Sequence, residues 1–175
     1  MKQSIVFFLI FLYSFNLNSV EIRTIKLSLI VNNSEAYTSF LKNFENDKNF
    51  FFVKLQKNED KFNAKKQEIE NSKIILSQEE YDKKVKIFNN DARDFQIKID
   101  DINKKIENYL ESNKAILINQ IAEIVQKISE EKKIDIVFNE NQYFLSNSYI
   151  DISDLVIQYL NTIKINFSEI EIKLE

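Results

Sequence analysis

The chain contains no cysteine, histidine, tryptophan, glycine or proline. Each absence removes a class of chemistry. Without cysteine there is no disulfide framework, no thiol nucleophile and no lipid-acceptor thiol. Without histidine, the usual general base near neutral pH and the commonest transition-metal ligand are both missing. Without glycine, neither a phosphate-cradling loop nor a glycine-rich dinucleotide turn can be built. No nucleophile–base pair or metal set is visible, so neither an enzyme nor a cofactor is expected. An excess of one charge is lacking as well. The formal net charge is −3, and no basic stripe of the kind that nucleic acid binding needs is present. At 175 residues the prior is one domain.

What the chain does have is periodicity. Tyr81, Val85, Phe88, Ala92, Phe95, Ile99, Ile102, Ile106 and Tyr109 follow one another in alternating steps of four and three. That spacing is an apolar seam along a supercoiled helix. The helix is too long for an ordinary globular domain, so the fold is expected to be elongated. Asp100–Asp101 and the Asp91/Asp94 pair lie between seam positions and read as a solvated face, not as acid–base or metal groups.

A partner for this helix lies just before it. Asn32, Asn33 and Ser34 offer N-caps for a helix starting near Glu35. Tyr37, Leu41, Phe44, Phe51, Leu55, Phe62, Ile69 and Leu76 then fall near heptad spacing, interrupted by Asn58, Lys65 and Ser72. Phe50–Val53 wraps more than one face, so part of that surface must meet something besides the second arm. Between the two periodic stretches, Ser77 and Glu80 make a capping box, with Leu76 and Tyr81 placed for a hydrophobic staple. Two long amphipathic helices joined by a few residues predict an antiparallel hairpin. Past Tyr109 the spacing stutters through Leu110 and Lys114 before resuming at Leu117, Ile121, Ile124 and Ile128, which relaxes the supercoil locally. The apolar crowding beyond that point predicts burial in a packed body.

The ends of the chain are of other kinds. Lys2, the apolar run Ile5–Phe15 and the polar Asn16–Ser19 read as a cleaved signal peptide. The run is short of the ~20 residues that span a bilayer. The competing reading is an uncleaved anchor. Val20–Ile25 alternates as a strand, and Lys26–Val31 either extends it or begins a helical turn. After the second arm, Ile134–Phe138 and Gln142–Leu145 read as a β-hairpin turning at Asn139–Asn141. Asp151 is placed as N-cap of a last helix carrying Leu155, Val156, Tyr159 and Leu160. Thr162–Glu175 either adds an edge strand or hangs free. The Asn-x-Ser triplets at Asn32 and Asn166 are common by chance in so Asn-rich a chain.

This order of elements resembles the Skp/OmpH family of periplasmic chaperones. Ile134-Asp135-Ile136-Val137-Phe138-Asn139 is similar to the family's strand after the long helix. Asp151-Ile152-Ser153-Asp154 is similar to its Asp-Ile-Thr-Asp before the last helix. Leu76-Ser77-Gln78-Glu79-Glu80 resembles the opening of its second arm, and Ile30–Ser34 that of its first. The likeness runs to about Asn161. It implies an α+β, mostly α fold, in which a long antiparallel helical hairpin stands on a small β-sheet body and three copies form a jellyfish-like homotrimer. The corresponding division is a signal peptide (1–19), a body (20–34 with 115–161), a hairpin arm (35–114, turning near 77) and a C-terminal extension (162–175).

The resemblance also implies a function: ATP-independent holding of unfolded outer-membrane β-barrel proteins in the periplasm, in a cavity between the arms. It implies no cofactor, no nucleic acid partner and at most peripheral membrane contact. Phe50, Phe52, Phe62, Ile74 and Ile75 are the candidate client-binding residues. Ile136, Phe138, Tyr143, Leu145 and Leu155 are candidates for the trimer interface or body core. A small sheet is marginal alone, which favours self-association. Family members are often strongly basic at the arm tips, whereas residues 54–86 hold nine lysines against seven acids, and residues 134–175 two lysines against seven acids. Electrostatic capture of clients or lipopolysaccharide is therefore not expected to dominate. The rival reading is an exported coiled-coil scaffold or tether for one folded envelope partner.

Overall fold

A computed structural model of the chain describes residues 19–169. The expected signal peptide (apart from Ser19) and the last residues of the extension lie outside the described residues. The elements in order are β1 (Ile22–Ile25), α1 (Leu27–Asn32), α2 (Glu35–Ser72), α3 (Gln78–Lys132), β2 (Ile136–Asn139) and α4 (Ser153–Leu160), with single 3-10 turns at Glu140–Gln142 and Ser148–Ile150. The undecided stretch after β1 is therefore helical.

α2 and α3 are the two arms. At 38 and 55 residues they extend about 57 and 80 Å at 1.5 Å per residue. Their partners run in opposite senses, with Phe44 against Tyr109, Phe62 against Phe95 and Lys65 against Asp91, so the hairpin is antiparallel. Each arm opens on the cap that its sequence offers. Ser34, fully buried, accepts the Tyr37 amide at 3.3 Å. At the tip, Ser77 Oγ accepts the Glu80 amide at 3.4 Å while the Glu80 carboxylate accepts the Ser77 amide at 3.1 Å, the reciprocal box.

Between Tyr81 and Tyr109 the residues that are not exposed are the nine seam positions and no others. In the first arm the seam runs through Phe51 and Leu55, which pack with Ile102 as a small buried cluster. One position departs from the spacing read above: Phe40 is buried at the base of α2 and Leu41 is exposed. The cause is aromatic. Phe40 stacks between Tyr37, Phe44 and Tyr109 at ring separations of 5.5–6.5 Å, and that cluster shifts the phase of the helix by one residue. A matching correction falls on α3, where the seam passes through buried Asn113 while Lys114 is exposed.

The body differs from expectation in its pairing. β2 does not fold back on Gln142–Leu145; it pairs with β1 in parallel, Ile22 opposite Ile136 and Ile25 opposite Asn139. The reason lies in α1, whose N-cap residue Lys26 supplies no side-chain cap. The open amides of its first turn need acceptors. Asn139 Oδ1 accepts from Leu27 at 3.3 Å, and the Glu140 carboxylate accepts from the Ser28 amide and hydroxyl at 3.0 Å each. Asn139 and Gln142 also close a reciprocal cap on the intervening turn. These bonds hold 139–142 against α1, and Phe144 and Leu145 emerge into solvent.

Asp151 stands two residues before α4, where its carboxylate accepts the Ser153 amide at 2.9 Å and pairs with Lys26 at 3.0 Å. Ser153 Oγ in turn accepts the Lys26 amide at 2.7 Å, and the Ile152 amide donates to Thr24 O at 2.9 Å. The Asp-Ile-Ser-Asp stretch thus ties the last helix to the first strand. Ile30, Leu117, Ile128, Val156 and Leu160, all fully buried, form the centre of the body core.

Residues 162–169 are neither an edge strand nor free. They cross the base of the arms without regular structure, burying Ile165 and half-burying Phe167.

Candidate functional site

With the seam and the body core subtracted, the apolar side chains left over include two clusters on the arms. The first is midway along α2. Phe51 turns into the seam at 4% exposure, so its neighbours Phe50, Phe52 and Val53 must point outward, and Phe50 is 66% exposed. Helical geometry dictates this: a run of four apolar residues covers more than one face. Lysines flank the outward rings, with Lys54 Nζ 4.6 Å from the Phe50 centroid and Lys48 Nζ 5.8 Å from that of Phe52. Such a cation beside an aromatic face keeps the ring wet on one side and adhesive on the other.

The second group is at the tip. α2 ends at Ser72, and the chain passes through Lys73–Leu76 before Ser77 caps α3. Ile74 is 92% exposed and Ile75 is 85% exposed. Neither is required by the turn, whose geometry is set by the capping box. The Glu80 carboxyl is held below the usual carboxylate range by its hydrogen bonds from Ser77.

Phe62 belongs elsewhere. It is half-buried and packs on Phe88 at 6.0 Å and Phe95 at 5.0 Å, within the seam between the arms. It is thus largely spent on holding the hairpin together. Two exposed isoleucines that the seam reading passed over, Ile87 and Ile97, lie on α3 outside the contact line. Their signal was present as apolar residues off the four-three spacing.

The body candidates divide. Leu155 is half-buried against the core, and Phe138 is half-buried in β2. Tyr143 is half-buried with its hydroxyl enclosed and, among the described residues, without a hydrogen-bond partner. Ile136 is partly exposed and Leu145 is 86% exposed, so neither is core within one chain. On the Val137 face of β2, opposite Ile136, an open apolar groove of about 430 Å³ is lined by Ile25, Leu27, Ile118, Val125 and Val137. β2 has β1 on one side; β1 has β2 on one side and a bridge from Asp151 to Thr24 on the other.

The acidic groups are those of a solvated helix face. Asp91 pairs with Lys65 across the arms at 2.7 Å, Asp101 with Lys105 at 2.7 Å, and Asp100 accepts from Gln96. Among the described residues no group of His, Cys, Asp and Glu is placed to hold a metal ion, and no helix is long and apolar enough to cross a membrane.

Comparison with known proteins agrees with this architecture. The family model described as outer membrane protein (OmpH-like) matches residues 21–160. A crystal structure of a candidate outer membrane chaperone (OmpH-like) from Caulobacter crescentus CB15 superposes with a TM-score of 0.75 at 15% identity, covering 90% of this chain and 93% of that one. At that identity the likeness is one of fold. No curated protein sequence matches the chain.

Proposed function

The chain belongs to the OmpH-like family of outer membrane proteins, and from that premise we propose that it is a periplasmic chaperone. It holds unfolded outer-membrane β-barrel proteins without ATP, against the arms of a homotrimer, after a signal peptide at its N-terminus has been removed.

The observation that carries this reading is the clustering of the outward apolar residues Phe50, Phe52, Val53, Ile74 and Ile75 on arms whose outer faces are mostly charged or polar. Intramolecular packing uses none of these five fully. Each gains at most ~1.5–3 kcal/mol on burial against a client. Several such contacts on a long arm give grip without a fixed pose, which suits a client that has no fold of its own. The flanking lysines keep the rings from sticking arm to arm.

Self-association is supported by the body. Among the described residues no strand pairs with the outer edge of β2, and such an edge is a template for pairing with another copy. Ile136 on one face of β2 and the groove beside Val137 on the other present apolar surface at that strand, and Leu145 further along the chain is exposed as well.

The test is suppression of aggregation of several unfolded β-barrel proteins in the absence of nucleotide, with the protein lacking residues 1–19. The triple variant Phe50→Ser, Phe52→Ser, Val53→Ser keeps the seam residue Phe51 and should fold, as read by helical circular dichroism. It should lose most of the protection. Equal protection by the triple variant would refute the site. Failure of the unaltered protein with every client, together with tight binding to one folded envelope protein, would establish the tether reading instead.

A further inference from the structure

The stretch beyond residue 160 lies outside the family match, yet it is tied into the arms at both ends. Asn161 begins it. Its Oδ1 accepts the Glu35 amide at 3.1 Å, and its Nδ2 donates to Asn33 O at 3.2 Å, so it grips the start of α2. Ser168 ends it on α3. Its amide and hydroxyl donate to Asn113 Oδ1 at 2.7 and 3.0 Å, and its carbonyl accepts the Tyr109 hydroxyl at 2.8 Å. Between these ends Ile165 is buried, and Phe167 seats 4.7 Å from the Phe40 ring and 6.0 Å from that of Tyr37.

The strap crosses where both arms lose their regular contact. In α2 the inward residues step Phe40, Phe44, Lys48; in α3 they step Tyr109, Asn113, Leu117. Two consecutive steps of four in each helix interrupt the supercoil at one level. At that level the seam position in α3 is an asparagine, fully buried. Its Nδ2 is met by Tyr109 O at 2.9 Å, a bond within its own helix. Its oxygen is met by Ser168. Without residues 161–168 a buried carboxamide oxygen would lose both donors, and a leucine there would serve the seam better.

We propose that residues 161–168 are a strap that locks the two arms to each other at their base and so sets how far the arms swing relative to the body. An open groove of about 720 Å³ remains between the strap and the outer face of α2, beside Ser39, Asn43 and Asp47. The strap is therefore held at its ends and by Ile165 and Phe167, which pack on the margin of the core, so that its release leaves the fully buried centre of Ile30, Leu117, Ile128, Val156 and Leu160 in place. This holds whether or not the arms carry clients.

The test uses the full chain, whose lack of cysteine allows spin labels at Lys61→Cys on the arm and Gln158→Cys on the body, diluted with unlabelled protein. Pulsed electron resonance should give one narrow distance distribution. Asn113→Leu should at least double its width while the arms stay folded, as read by helical circular dichroism, because the leucine fills the seam as the strap is freed. Phe167→Ala should widen it as well. Amide exchange at Ser168, whose amide Asn113 holds, and in 105–117 should rise at least tenfold in both variants, with 51–62 unchanged. An unchanged distribution once the Ser168 amide exchanges freely overturns the proposal. So does free exchange of the Ser168 amide in the unaltered protein, which needs no variant to fold.

Discussion

Lys133 ends α3 with a left-handed backbone, φ 56° and ψ 45°, and among the described residues it alone has a positive φ. Both its own amide and that of Ile134 close on Ser129 O, the latter at 2.9 Å, while Ile134 tucks into the core. This is the helix stop that glycine usually provides, in a chain that has none. A β-carbon in that conformation costs roughly 1–2 kcal/mol. Glycine removes the cost but brings an extra ~0.5–1 kcal/mol of unfolded-state freedom. Lys133→Gly should therefore stabilise by about 0.5–1 kcal/mol, or about 1–4 °C in melting temperature for a chain of this size. The charge lost near the helix C-terminus is worth ~0.3 kcal/mol at an exposed site, and Lys132 remains to supply it. Lys133→Ala isolates the backbone term, because it loses the same charge and keeps the β-carbon. It should be neutral or slightly destabilising. Urea unfolding of the three proteins at one concentration, so that assembly contributes equally, measures the difference. A glycine variant no more stable than the alanine variant would refute the reasoning.

Two further outcomes follow from the geometry. Phe40→Ala should cost ~3–5 kcal/mol and Leu41→Ala less than ~1 kcal/mol, a reversal of the simple heptad expectation that urea unfolding reads directly. The Asp151 carboxyl sits below the usual range. Burial alone would raise it, but hydrogen bonds from Ser153 and from Lys26 outweigh that, while Lys26 is raised by the same contact. A depressed acid contributes stability above its unfolded value and loses it as pH falls through the folded one. The melting temperature should thus be flat near neutrality and drop on acidification below the ordinary carboxylate range. The gap between the unaltered protein and Asp151→Asn should close over the same interval.

The arms were legible because their signal is local and repeated. Nine seam positions from Tyr81 to Tyr109, and a cap with its box at Ser77–Glu80, leave the chain little choice. Phe50, Ile74 and Ile75 could be picked out as surplus to the seam, although Phe62 could not be separated from them without knowing what faces it across the hairpin. The body was read less well. Alternation in Ile134–Phe138 shows that a strand forms but says nothing of its partner, and the partner is more than a hundred residues away. The choice is made by α1, whose uncapped amides take Asn139 and Glu140. The strap was invisible for a related reason: Asn113 and Ser168 are unremarkable apart and meaningful only in contact.

The parallel pairing of β1 with β2 has a consequence for folding order. The whole helical hairpin is the connection between the two strands, so β1 must wait for more than a hundred residues before its neighbour exists. Parallel strands so distant in sequence form slowly when an unstructured loop must close. Here the loop is not unstructured: once the turn at Ser77 is capped, local zipping of the arms carries Ile136 back to Ile22. The arms thus act first as the jig that assembles their own base. A change that weakens the seam, such as one at Phe51 or Ile102, should slow formation of the body as well as loosen the arms.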